Sequence, residues 1–88
     1  MQYPFTELKE QGYYIREFSQ EVPEEELVWH RDREDRIVEP LHNTDWKLQL
    51  DDELPVIIDK PIFIKRDIFH RLIKGTDSLK IKVTKLHI

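Results

Sequence analysis

Apolar side chains come in short runs closed by turn chemistry, and this punctuation limits the folds open to the chain more than any other feature. The segment Leu79–Thr84 alternates apolar and polar residues, as does Trp46–Asp51; period two belongs to strands with one buried face. Tyr13–Phe18 is aromatic and β-branched and reads as a first strand. Arg36–Leu41, Val56–Ile58, Ile62–Ile64 and Phe69–Ile73 are further short strands, separated by Asn43–Asp45, Asp52–Pro55, Asp59–Pro61 and Lys65–Asp67. Val22–Glu26 reads as a brief helical turn entered through Pro23. It must end quickly, because Leu27–Asp32 looks extended. About eight short strands with almost no helix predict an all-β sandwich or barrel.

The chain has 88 residues, enough for one hydrophobic core, so residues 1–88 are expected to be a single domain. There is no cysteine, which excludes disulfides, thiolate zinc sites and iron–sulfur clusters. Any metal must be held by nitrogen and oxygen. No apolar run reaches membrane-spanning length and no leader pattern precedes the first strand, so a cytoplasmic protein without membrane contact is expected. The net charge of -4 argues against a nucleic-acid grip built on phosphate contacts. From Lys60 onward eight Lys or Arg face two Asp, and outward strand positions account for them. Ser19 and Ser78 lack a glycine-rich elbow, and no phosphate loop is present.

The candidate chemistry lies elsewhere. In an extended segment His30 and Asp32 share a face with Val28, while Trp29 and Arg31 face away. His70 sits in another short strand with Leu72 on its face and Arg71 opposite. Two histidines and one carboxylate suit non-haem Fe(II), and also Mn, Ni, Co or Zn. His42 and His87 read as surface residues.

The spacing of these residues resembles the cupin family. The first cupin motif carries Gly, His-x-His, Glu and Gly; at the same spacing this chain has Glu24, His30 and Asp32, Arg36, and Asn43. The second carries Gly, Pro-x-Gly, His and Asn; here stand Asp59, Lys65 to Asp67, His70 and Lys74, after a 15-residue spacer over Thr44–Ile58. Asp32 replaces a histidine, Arg36 replaces the glutamate, and Asn43 tolerates the left-handed turn that glycine would make.

The resemblance implies a small cupin, a double-stranded β-helix of jelly-roll type, with His30, Asp32 and His70 as ligands of a divalent metal, Fe(II) first. A metal-dependent enzyme is then expected, a dioxygenase, isomerase or lyase acting on a small carboxylate-bearing molecule. Arg36 either clamps that anion by a bidentate pair or closes the barrel mouth as a salt bridge with Asp32. Gln49 would reach the site if the Lys47, Gln49 and Asp51 face looked inward. Equally, Trp46, Leu48 and Leu50 could form the inner wall. The competing reading is a non-catalytic barrel that binds a small ligand or serves in assembly. Single-domain cupins commonly dimerise through edge strands, so a homodimer is expected, with Tyr13–Phe18 and Leu79–Ile88 as edges and Ile81→Lys as the disrupting change.

Overall fold

The computed structural model describes residues 4–86. Its strands are β1 (Thr6–Lys9), β2 (Tyr14–Phe18), β3 (Asp35–Pro40), β4 (Lys47–Leu50), β5 (Val56–Ile57), β6 (Ile62–Ile64), β7 (His70–Ile73) and β8 (Leu79–Leu86). A 3-10 turn over Glu24–Glu26 follows Pro23 as expected. All pairings are antiparallel and form a five-stranded sheet, β1-β2-β8-β3-β6, and a three-stranded sheet, β5-β4-β7. The fold is all-β, as the strand pattern predicts, and it is the jelly-roll-like double-stranded β-helix that the resemblance implies. Among the described residues no helix is long and apolar enough to cross a membrane.

The alternation in β8 becomes burial. Leu79, Ile81 and Val83 enter the core and Lys80 faces solvent. Register then fixes the other inner positions. Opposite Leu79, Ile81 and Val83, β2 places Phe18, Arg16 and Tyr14. On the other side of β8, Val83 pairs with Val38 of β3. Arg36, two residues before Val38, therefore shares its inward face and pairs with Ile64 of β6.

The three-stranded sheet closes over this layer. Trp46, just before β4, is fully buried and Leu48 nearly so, which settles Trp46, Leu48 and Leu50 as the inner wall. The indole stacks obliquely on Phe18 at 5.8 Å and donates to the Asp77 carbonyl. Asp45 accepts two 2.9 Å bonds from the Thr76 amide and hydroxyl, tying the entry of β4 to the loop before β8.

Four expectations need correction. Strand β1 was not foreseen; it pairs with β2 across a turn in which Gly12 has φ +90°. Residues 27–32 form no ladder, only a single bridge at His30. Asn43 is not left-handed; among the described residues the non-glycine positive φ values are at Asp52 and Asp67. Neither expected edge is an edge. β8 lies between β2 and β3, and β2 between β1 and β8, so the outer strands are β1, β6, β5 and β7.

Candidate metal centre

His70 opens β7, opposite Leu50 of β4, and Leu72 stands opposite Leu48. Both are thereby turned into the barrel. On the far side of β7, residue 30 makes one antiparallel pair with residue 70: His30 N–H donates to the His70 carbonyl at 3.0 Å, and His70 N–H to the His30 carbonyl at 2.8 Å. This exchange sets the two imidazoles side by side, ring centres 4.3 Å apart and planes at 63°. Asp32 follows two residues later, and its carbonyl accepts a 2.7 Å bond from the Asp67 amide. Asp67 has φ +66°, a left-handed conformation that glycine adopts most easily. The turn at Asp67 therefore holds Asp32 in place.

One ligand atom from each of His30, Asp32 and His70 lies within 4.8 Å of the others. The tautomers follow from their partners. His30 Nδ1 is 3.1 Å from the Val28 carbonyl and His70 Nδ1 is 2.9 Å from the Ile68 carbonyl. A carbonyl only accepts, so each Nδ1 is the donor, and in the neutral ring Nε2 carries the lone pair. Such carbonyl-anchored tautomers are the form in which histidine binds a metal.

Asp32 Oδ2 is buried without a hydrogen-bond partner. His70 Nε2 lies 3.3 Å away, an ion pair only when the imidazole carries both protons. With His70 neutral, two acceptors face each other across that gap, and only a proton or a cation between them removes the repulsion. His70 itself is 5% exposed. The donor set and the orphaned oxygen fit a divalent metal, with all-nitrogen and oxygen ligands.

Burial lowers the pKa of His30; its Val28 hydrogen bond pushes upward, and His70 adds to the lowering. His30 retains exposed surface as a residue, yet its ring lines the cavity where that desolvation acts. For Asp32, burial pushes the carboxyl up, but the His70 contact and the Arg36 charge together hold it below its ordinary value.

Arg36 reaches the same cluster from β3. Its Nη2 is 3.3 Å from Asp32 Oδ1 and 2.7 Å from Glu34 Oε1, and its Nε donates to Glu34 at 3.0 Å. Lys85 approaches Glu34 at 3.9 Å. Glu34 is the residue that the sequence did not single out; within the charged run 31–36 nothing distinguishes it except its two-residue distance from Arg36.

Gln49 is not brought to the site, which corrects the expectation of a catalytic role. Its amide donates to the Glu53 carbonyl and accepts from Arg71 on the outer face, because the Leu48 and Leu50 side of β4 faces inward. Arg71 also covers Trp29, and Arg31 covers Phe69, both away from the cluster as expected. His42 is exposed and accepts from the Lys80 amide; His87 lies outside the described residues.

The cluster lines a cavity of about 410 Å³ whose remaining walls include Phe18, Leu48, Ile64, Leu72, Ile81 and Val83.

No family model matches the sequence, and no curated protein matches it. Solved structures do. A provisionally named mannose-6-phosphate isomerase from Ralstonia eutropha JMP134 superposes with TM-score 0.65 at 13% identity, over 96% of this chain and 83% of that one. A conserved protein of unknown function from Streptococcus pyogenes gives TM-score 0.62 at 18% identity, covering 100% and 78%. A protein from Neisseria meningitidis gives 0.59 at 10%, covering 94% and 82%. At these identities the likeness is one of fold. Fold and cluster define a class: a small all-β barrel carrying a His-Asp-His group that could hold a divalent metal.

Proposed function

We propose that this chain is a small cupin that binds one divalent metal through His30, Asp32 and His70 and acts on a small anionic molecule. The observation that carries the reading is the buried, unpartnered Asp32 Oδ2 beside two imidazoles whose Nδ1 atoms are already committed to backbone carbonyls. Fe(II) is the first choice, because two histidines and one carboxylate leave positions free on a six-coordinate ion; Mn, Ni, Co and Zn suit the same donors. When bound, the ion supplies Lewis-acid or redox chemistry. The protein's part is to keep both imidazoles in the ligating tautomer, to line the rest of the cavity with apolar walls, and to offer the Arg36 guanidinium to the substrate's anionic group. Dioxygenase, isomerase and lyase reactions are all open to such a site, and the name of the Ralstonia protein keeps isomerisation among them. A cytoplasmic homodimer completes this reading.

The test is metal content with anaerobic Fe(II) titration, on wild type and a His30→Ala/His70→Ala variant. About one equivalent bound by wild type and none by the variant is expected for a three-ligand site. A folded wild type that binds no Fe, Mn, Ni, Co or Zn stoichiometrically would sink it.

A second reading has an observation of its own. The Arg36–Asp32 ion pair at 3.3 Å is what a non-catalytic barrel would use to fill its mouth, with a protonated His70 answering Asp32 Oδ2. That barrel would bind a small ligand or a protein partner without metal, and the same titration separates the two.

A further inference from the structure

We infer that the cavity takes a monocarboxylic acid with an apolar, single-ring-sized body, and that sugar phosphates are not its ligands; this rests on the metal reading above. The argument starts from how the polar groups are distributed. His30, Asp32, Arg36 and His70 cluster together, Arg16 and Glu26 are the other charged residues of the lining, and Phe18, Val38, Leu48, Ile64, Leu72, Ile81 and Val83 supply hydrocarbon. A hexose carries hydroxyls on every carbon, and against Leu48, Ile64, Leu72 and Ile81 those hydroxyls would lose water and gain no partner. A hydrocarbon body loses nothing there.

Volume points the same way. An apolar cavity of roughly 150 Å³ accepts benzene, so about 410 Å³ holds one ring with a short acid arm.

Charge then limits the head group. The two arginines lining the cavity bring no net charge of their own: Glu34 balances Arg36, which can still orient the ligand's head group, and Glu7 balances Arg16 while it covers the Phe5 ring. A divalent ion is balanced by Asp32 and by Glu26, which also lines the cavity, so a carboxylate ligand adds one negative charge and a phosphate dianion two. Beside apolar walls the second unbalanced charge is the costlier.

The experiment titrates Zn(II)-loaded protein with phenylacetate and, separately, mannose 6-phosphate, following the methyl resonances of Ile64, Leu72 and Ile81 by NMR. Zinc content is measured on the same samples. Phenylacetate is expected to shift these methyls saturably and at least about ten-fold more tightly than mannose 6-phosphate, the size of discrimination a mismatched pocket gives. Leu72→Gln should weaken phenylacetate about ten-fold with zinc content unchanged. Leu72→Met controls for folding and should retain binding. Protein that holds zinc but prefers mannose 6-phosphate, or shows no methyl response to phenylacetate, overturns the inference and leaves the metal reading standing. Methyl shifts with phenylacetate in protein that holds no zinc do the reverse. No zinc and no shift removes both.

Discussion

At the scale of single residues, the site was legible where it depends on side-chain type and illegible where it depends on partners. His30, Asp32 and His70 could be read from spacing, and they converge. Arg36 was read in two ways, and the structure gives it features of both: it lines the cavity and it bridges Asp32. Glu34 could not be found, because its role is to hold Arg36, and a partner is invisible in a run of mixed charges. Two predictions belong here. His30 has its pKa lowered from 6.5 by burial, so the unfolded chain binds its proton more readily than the native one. Its contribution is therefore complete above about pH 6.5 and lost as pH falls through the lower native value. Asp32 and Asp45 are lowered from 3.8, so their contributions persist above that value and are lost below it. Metal-free protein should show a melting temperature that declines in two stages on acidification, and His30→Gln should remove the first. A single acid transition below pH 4 in wild type would contradict this. Asp67 holds φ +66° without being glycine. Asp67→Gly should relieve that conformation and, net of the added chain entropy, stabilise by up to about 1 kcal/mol in urea unfolding.

At the scale of elements, periodicity exposed the strands whose two faces differ. β8 and the wall from Trp46 to Leu50 were clear because burial alternates along them. β1 was missed because Thr6–Lys9 is exposed throughout and carries no alternation. The 27–32 segment looks like a strand, yet it pairs only at His30, since β7 is four residues long and the chain leaves it at once. A Cβ on Gly75 would lie 2.2 Å from Asp45 Oδ1 and 2.8 Å from the Trp46 backbone nitrogen. Gly75→Ala should therefore displace the Asp45–Thr76 tie and cost about 1–3 kcal/mol in denaturant unfolding, typical of forced overpacking. Ile81, expected at an edge, is 3% exposed in the middle of its sheet. Ile81→Lys should unfold the protein, with circular dichroism losing its β signal at temperatures where wild type is native.

At the scale of the whole molecule, the proposed homodimer must use the strands that are outermost. β6 offers Phe63, 53% exposed, and β5 offers Val56 and Ile57, both exposed. Light scattering of Phe63→Lys should show monomer where wild type is dimeric; a monomeric wild type would remove the dimer from the proposal. The two sheets were expected as a barrel, but their strand order was not readable, since order depends on contacts between residues far apart in the chain. Thus β8 sits between β2 and β3 although it follows both by many residues. During synthesis β2 and β3 leave the ribosome well before the strand that will join them, each with a face and an edge still bare. For seconds, at about 5–20 residues added per second, the nascent chain holds His30 and Asp32 but not the strand that completes the sheet around them. The barrel is therefore a structure that a growing polypeptide cannot rehearse: it closes when residues 79–86 emerge, and until then its safety depends on speed or on an attendant chaperone.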